Sequence, residues 1–332
     1  MAATEDRKRG LIRGKWAQWN THYPDFSSLM VTFFIFLGLF VLMAIGNPRF
    51  LASRNLINIL TQSAMYVVMG VGMTLVLTIG GIDISIGSIV GIATGFIGGT
   101  IVAGGQPVWL GILVGLGIGV LCGMFNGFWI TVLKIPAIIV TLGTWTMFRG
   151  LAYVYLGGTI HYNFPESFLW FARGRILGLP VPVWIAAVVF AAGYYFLYKT
   201  KTGRQITALG GNPEAARLAG IRVKWLTFLV FTINGLLAAL ATVIVTARLD
   251  SSAAGTGAGF EMHTIASVVV GGTSLFGGKG LMVGTLLGVL MLGIVENGLL
   301  LAGISFFWQR VLLGLIFVSV VGFRTVRSKR PT

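Results

Sequence analysis

Asp83, Glu296 and Arg310 are charged residues within or beside long apolar stretches of the sequence, where an unpaired charge is costly. Asp83 follows a Gly-Gly pair and is followed by Ser85, whereas Glu296 and Arg310 stand seven residues before and after Gly303. If Gly303 is the tip of a helical hairpin, Glu296 and Arg310 lie at equal depth. We expect them to form a structural ion pair, with a role in transport as the alternative.

Asp83 has no basic partner near it in the sequence, and two roles fit it. Its carboxylate caps the helix that we predict to begin near Ile84, where the positive end of the helix meets a negative charge, or it lines a polar pathway. The cap is the preferred interpretation. In either role, loss of the side chain is expected to be damaging.

The residues that usually carry catalysis or bind metals do not form a recognisable set. His22, His161 and His263 are far apart and none has a second donor at metal-ligand spacing, so no metal site is predicted. No Gly-rich stretch matches the phosphate-binding pattern Gly-x-x-x-x-Gly-Lys-Ser/Thr. We therefore expect neither catalytic residues nor a cofactor, and any ATP hydrolysis belongs to another chain.

The composition is that of a polytopic membrane protein. The 332 residues are 56% hydrophobic and 10% charged, with a mean hydropathy of +0.89, whereas soluble domains are about 25% charged. The 48 glycines fit membrane helices, in which small residues allow close packing. The net charge of +15 lies in short clusters between apolar runs, which favours a positive-inside bias over nucleic-acid binding.

Runs of about 20 apolar residues predict an all-α protein with about ten transmembrane helices. With both termini cytoplasmic, seventeen Lys and Arg lie on the cytoplasmic side and five on the other, which supports an even number of helices. The predicted spans are 28–46, 56–79, 84–104, 108–133, 136–156, 182–199, 225–247, 260–276, 281–302 and 304–323.

Two segments, 78–88 and 270–280, each place Gly-Gly at the predicted cytoplasmic end of an apolar run, followed by hydroxyl residues and another apolar run. Broken helices of this kind persist at membrane depth only where protein or a water-filled cavity covers the backbone. Their corresponding positions predict a weak internal repeat with broken helices. Tight glycine turns between ordinary helices are an equally good interpretation.

The predicted cytoplasmic loop 200–224 encodes a short helix with well-defined ends. Asn212 suits the N-cap, Pro213 the first helical position and Glu214 the positive helix end, while Gly220 suits the C-terminal stop. Because so short a helix is marginal in water, such full capping indicates that another protein packs on it. A solvated surface helix is the alternative.

Six stretches of the sequence, taken in order, form a specific set: Gly80-Gly81-Ile82-Asp83-Ile84-Ser85-Ile86-Gly87-Ser88, Thr141-Leu142-Gly143-Thr144, 203–221, Gly259-Phe260-Glu261, Ile265-Ala266 and Gly271-Gly272-Thr273-Ser274-Leu275-Phe276-Gly277-Gly278. In these stretches the sequence resembles the permease subunits of bacterial ABC importers of the ribose, xylose, arabinose and galactose type. The resemblance covers nearly the whole chain except residues 1–27 and 157–180.

The resemblance implies a dimeric membrane channel, formed with a second copy or a paralogue, in a bacterial inner membrane. It implies a cytoplasmic ABC ATPase docked on the short helix and a periplasmic sugar-binding protein docked outside. The expected ATPase-coupling residues are Arg204, Asn212, Pro213, Glu214, Ala215, Ala216, Arg217, Leu218 and Gly220.

A neutral polyol is recognised by hydrogen-bonding groups and aromatic faces, with little need for fixed charge. Interhelical hydrogen bonding is the commoner role for any single polar residue in a membrane, so the prediction concerns the group. The candidate pathway residues are Gln62, Asp83, Ser85, Asn126, Thr141, Thr144, Trp145 and Asn234.

The predicted organisation is a cytoplasmic segment 1–27, one permease domain 28–323 and a basic cytoplasmic tail 324–332. Within the domain, the polar stretch 157–180 is expected to be a periplasmic loop, and either a docking surface or a plain connection. An ion-coupled secondary transporter of a small polar solute is the alternative function, with Asp83 and Glu296 as its carboxylates. The sequence leaves the cargo open.

Overall fold

The computed structural model describes residues 24–305, 307–312, 314, 315, 318, 319 and 322. The predicted tail 324–332 and most of the N-terminal segment 1–27 lie outside the described residues. The helices are α1 (Pro24–Gly46), α2 (Ser53–Thr78), α3 (Ile86–Gly98, continued by a π-helical turn Gly99–Ala103), α4 (Val108–Val132), α5 (Ala137–Leu156), α6 (Glu166–Arg173), α7 (Val181–Lys199), α8 (Lys201–Gly211), α9 (Pro213–Leu218), α10 (Val223–Leu249), α11 (Phe260–Val270) and α12 (Met282–Leu301), with a 3-10 turn at Pro48–Leu51.

Within the described part of the chain, eight helices are long and apolar enough to cross a membrane: α1, α2, α3 with its π-helical turn, α4, α5, α7, α10 and α12. The all-α polytopic class is therefore confirmed. Of the other two predicted spans, 260–276 corresponds to the 11-residue α11. The predicted span 304–323 lies partly outside the described residues.

Helix α2 forms the centre of the bundle. Every residue from Ser63 to Thr78 is buried, because α7, α10, α11 and α12 pack around it. A helix that is apolar on all sides is covered either by neighbouring protein or by lipid, and for α2 the cover is protein. Since α2 leads into the segment around Asp83, the most enclosed helix also positions the first predicted break.

A glycine stripe at every fourth position of α4 lets two neighbouring helices approach its backbone. Gly111 and Gly115 face Ile101 and Ile97 of α3, while Gly119, Gly123 and Gly127 face α10. Close backbone approach supplies the van der Waals contact that drives helix association in lipid. The high glycine content is thus used in packing.

Both predicted breaks are non-helical. Residues 79–85 run without helix between α2 and α3, and residues 271–281 connect α11 to α12 through Gly272, Gly277 and Gly278, which have positive φ values. The first is an interruption inside the protein, because Asp83 is completely buried. The second fits the alternative interpretation of a glycine turn between helices.

The predicted polar loop 157–180 is ordered. Its strand β1 (His161–Tyr162) pairs antiparallel with β4 (Ser251–Ser252), and β2 (Arg175–Ile176) pairs with β3 (Leu179–Pro180). Phe164, Phe168 and Leu169 are buried in a cluster with side chains of α3 and α10. The loop is therefore anchored on the helical bundle.

Candidate functional site

Asp83 lies at the centre of a buried hydrogen-bond network. Its Oδ1 accepts hydrogen bonds from the backbone N of Ser85 (2.8 Å) and from Ser85 Oγ (2.6 Å), and its Oδ2 accepts one from Asn234 Nδ2 (2.8 Å). Asn126 Nδ2 donates to Ser85 Oγ (2.8 Å). These four residues, the Asp83 network, are all at most 1% exposed.

Helix α5 holds the same break from another side. Thr141 Oγ1 donates to the carbonyl oxygen of Ile82 (3.0 Å), and Thr144 Oγ1 donates to the Thr141 carbonyl (3.4 Å). Both threonines are buried. The network and these two residues thus connect α4, α5 and α10 to the non-helical backbone between α2 and α3.

The carboxylate of Asp83 bonds the amide of Ser85, which immediately precedes α3. This is the geometry of a side chain that satisfies a donor at the helix entrance, where four N–H groups otherwise have no helical partner. The helix begins at Ile86, two residues later than predicted. The choice between cap and pathway role stays a prediction, tested below.

Two of the predicted pathway residues lie away from this network. Gln62 Oε1 accepts a hydrogen bond from Arg248 Nη2 (3.4 Å) and lines a separate cavity, while Trp145 is 36% exposed on α5. The structure therefore brings six of the eight candidates together and separates the other two.

Arg149 and Glu261 join the starts of two helices, an arrangement that the sequence interpretation missed. Arg149 donates to the carbonyl oxygens of Gly87 (2.9 Å) near the start of α3 and of Ala254 and Thr256 (2.8 Å) before α11. The Glu261 carboxylate faces Gly87 and accepts from the Gly259 amide (3.3 Å). The signal in the sequence that could have indicated this arrangement is that Arg149 and Glu261 have opposite charges and each lie inside an apolar run.

The short capped helix is confirmed as α9. Asn212 Oδ1 accepts from the Ala215 amide (3.0 Å), Pro213 is the first helical residue, and Gly220 follows with φ of +78°. Arg217 binds both carboxylate oxygens of Glu214 (2.6 and 3.1 Å), and this contact holds the pKa of Glu214 below its ordinary value.

Most of α9 is exposed. Ala216 is buried, whereas Ala215, Leu218 and Arg204 of the preceding α8 are exposed, with Leu218 at 75%. The capped helix α9 thus has an exposed apolar side chain, Leu218, on its surface.

Both predicted breaks meet the end of α8, directly before α9. Gly210 packs against the backbone of Thr78 and Gly278, and the Gly278 amide donates to the Thr78 carbonyl oxygen (2.9 Å). Gly277 in turn lies against Gly80. A displacement of α9 would therefore reach both non-helical segments through three backbone contacts.

Glu296 Oε1 lies 3.2 Å from His263 Nε2, an ion pair when the imidazole is protonated. The Tyr66 ring is stacked on His263 at a centroid distance of 3.7 Å. Glu296 and Arg310 line the same cavity, and Gly303 lies in the turn after α12 with φ of +73°. Gly303 therefore lies in a turn, while the helical hairpin and the Glu296–Arg310 pair stay predictions.

A family model described as "Branched-chain amino acid transport system / permease component" matches residues 55–321 of the chain. That range includes the Asp83 network, α8, α9 and the cavity beside Glu296. No solved structure matches the chain.

Several curated proteins are similar over most of the chain. The Ribose import permease protein RbsC of Escherichia coli K12 is 41% identical over 292 residues, which cover 86% of this chain and 91% of that protein. The Bacillus subtilis protein of the same name is 42% identical, covering 86% and 90%. The L-arabinose transport system permease protein AraH of Escherichia coli K12 is 37% identical, covering 89% and 90%.

Proposed function

Because the chain belongs to the family of branched-chain amino acid transport system permease components, we propose that it forms the membrane pathway for a monosaccharide or similar small polyol in an ATP-driven importer. It is a multi-pass membrane protein and a transport subunit, with ATP hydrolysis on a separate subunit. The observation that carries the proposal is the 41% sequence identity to a ribose permease over most of both chains.

The cargo class follows from the relatives with named cargo. Their names give ribose, arabinose and, for a protein 33% identical over 299 residues, D-allose. These are neutral polyols that differ in ring substituents and share a need for hydrogen-bonding partners. A monosaccharide is therefore the cargo class best supported for this chain, and an ion-coupled transporter is not favoured.

The surface of α8 and α9 supports an ATPase contact. It comprises Arg204, Asn212, Pro213, Glu214, Ala215, Ala216, Arg217, Leu218 and Gly220. The exposed Leu218 and the Glu214–Arg217 pair offer a partner an apolar side chain beside opposite charges. Ala216 faces inward and anchors the helix, so its part in the contact is indirect.

The other proposed partners are a periplasmic sugar-binding protein and a second permease subunit. The ordered segment 157–180 is the proposed docking surface for a periplasmic sugar-binding protein, since it offers Arg173 in ion pairs with Glu166 (3.7 Å) and Asp250 (3.4 Å). One chain with one coupling helix supplies half of a two-fold pathway, so a second copy or a paralogue completes it. The proposed location is the bacterial inner membrane.

The Asp83 network contributes to this function by holding the break between α2 and α3. Six of the eight predicted pathway residues are buried there and bonded to one another or to backbone. We assign them to positioning the broken helix beside the pathway.

Uptake of labelled sugars by cells that lack this chain tests the proposed function. We expect uptake of one monosaccharide among D-ribose, D-allose and L-arabinose to fall to background and to return with the wild-type chain. Uptake by cells that contain the wild-type chain should persist when a protonophore collapses the ion gradients while ATP is maintained. Uptake that disappears with the protonophore would instead support the ion-coupled mechanism.

A further inference from the structure

We propose that the cavity between α2, α11, α12, Gln309 and Arg310 is a binding site for a neutral polyol, where the cargo is held during transport. The inference rests on the proposed function, because it names where that cargo is held. The cavity has a volume of about 580 Å³, within the range of small-molecule sites. The residues that line it include Tyr66, Phe260, Met262, Glu296, Asn297 and Arg310.

The polar residues that line the cavity offer both acceptors and donors. The Glu296 side chain is 17% exposed and lines the cavity, with its Oε1 3.2 Å from His263 Nε2. Asn297 is fixed by reciprocal amide hydrogen bonds with Asn55 (2.9 and 2.8 Å). Side chains held by neighbours lose little entropy when a ligand binds.

The charges of the cavity favour a neutral ligand. Glu296 and Arg310 both line it and have opposite signs, so a ligand with a net charge would be attracted by one group and repelled by the other. A carboxylate accepts hydrogen bonds from hydroxyl groups, and a guanidinium donates to them. Polyhydroxylated molecules use both kinds of group.

Other residues that line the cavity are apolar or aromatic. Phe260 and Tyr66 contact edge to face at a centroid distance of 5.3 Å, and Met262 and Leu300 are 57% and 65% exposed. A sugar ring has carbon-bound hydrogens on its faces, which pack on such surfaces while its hydroxyls reach polar groups. A cavity lined by both kinds of side chain suits a monosaccharide.

The position of the cavity agrees with delivery from outside. Gln62 lies in the first half of α2 and Tyr66 at its middle, and Glu296 lies close to the end of α12. In the predicted orientation the start of α2 and the end of α12 are both periplasmic. The cavity is therefore in the outer half of the permease, where a binding protein would release its cargo, and far along α2 from the α8–α9 surface.

Protection of a single introduced thiol tests this site on the full chain in detergent. Cys122, the one native cysteine, is buried and is replaced by Ala, and Met262→Cys then places a thiol in the cavity wall. Leu177→Cys, at an 88% exposed residue outside the cavity, is the control. Maleimide labelling rates are measured with and without D-ribose, D-allose or L-arabinose.

One of these sugars should slow labelling of the Met262→Cys variant and leave labelling of the Leu177→Cys control unchanged. At a sugar concentration about ten times its Kd, the expected slowing is about tenfold. Glycine betaine at the same osmolality should slow neither. Glu296→Gln keeps the side-chain shape and should abolish the protection, as should Leu300→Trp, which fills the cavity from its exposed edge.

Three results would overturn the inference: no protection by any sugar, protection that survives both variants, and slowing of the Met262→Cys reaction by phospholipid but not by sugar. The last would identify a lipid site. If the ATPase still copurifies with the chain in these experiments, the proposed function stands although the cavity assignment fails. The two failures are thus distinguishable.

Discussion

Asn234 of α10 donates a 2.8 Å hydrogen bond to Asp83, which lies in the break between α2 and α3. The two residues are 151 positions apart in the sequence and are both at most 1% exposed. A bond to a buried carboxylate is worth more than one between neutral groups, and its loss leaves a partner unsatisfied. This contact therefore fixes the start of α3 against α10.

Replacement of Asp83 separates its roles as a helix cap and as a charge. Asp83→Ala leaves the donors of Ser85 and Asn234 without their acceptor and should cost about 2 kcal/mol or more, measured as a lower Tm in detergent. Asp83→Ser restores an acceptor for the Ser85 amide and should recover much of the stability. If Asp83→Ser is stable but does not transport, the charge acts in the pathway.

The glycine stripe of α4 offers a matched pair on one helix. A Cβ at Gly123 would collide with the backbone of Phe231 and Thr232, whereas nothing lies within 4 Å of a Cβ at Gly117. Gly123→Leu should therefore separate α4 from α10 and abolish folded protein in size-exclusion chromatography. Equal yields of folded Gly123→Leu and Gly117→Leu would contradict the packing argument.

Gly210 and Gly211 provide a second matched pair, at the end of α8. A Cβ at Gly210 would collide with the Thr78 carbonyl oxygen, whereas no neighbouring atom lies within 4 Å of a Cβ at Gly211. Gly210→Val should reduce sugar uptake while α9 and its partner contact persist. Gly211→Val should transport normally, and impaired transport in both variants would remove the assigned role of this contact.

The cap of α9 is expected to set the affinity for the ATPase. Asn212→Ala removes an N-cap worth about 1 kcal/mol, so the Kd for the ATPase should rise about fivefold, while Asn212→Asp should retain affinity.

The depressed pKa of Glu214 means that its ion pair with Arg217 is present above the ordinary pKa of a glutamate and is lost as pH falls through the lowered value. Binding should thus be constant from about pH 6 to 8.

The predicted Glu296–Arg310 pair is tested by Glu296→Gln, Arg310→Met and the double variant. If the two side chains pair, removal of both charges should restore the yield of folded protein relative to either single change, since no charge is then left unpaired. If the double variant is no better than the single ones, Glu296 does not pair with Arg310, and His263 is then its partner.

Local signals made α9 predictable from the sequence. Asn212, Pro213 and Gly220 act on the backbone within a few residues, so their pattern alone predicts the helix ends. The Asp83 network was predicted only as a set of polar residues, because its bonds join α4 and α10 to the break through packing that no local pattern encodes. Arg149 was left without a partner for the same reason.

Hydropathy overestimated the length of the helix at the predicted span 260–276, which corresponds to the 11-residue α11. The apolar run 260–276 continues past Val270, but Gly272, Gly277 and Gly278 have positive φ values and let the backbone turn. Gly277 and Gly278 pack on the end of α8. Composition alone does not distinguish an apolar turn covered by neighbours from an apolar helix. The separation of Gln62 from the other candidates likewise depends on which faces of α2 meet α10 and α12.

We propose that α9 connects this permease to an ATPase. The most direct measurement is purification of the wild-type chain and an Ala215→Arg, Leu218→Glu double variant, with copurifying proteins identified by mass spectrometry. Both residues are exposed, so the variant should fold; Leu177→Glu, at an exposed residue outside the α8–α9 surface, is the control. An ABC ATPase that copurifies with the wild type and the control but not with the double variant is the predicted result. A well-folded wild-type chain that retains no ATPase would contradict the account.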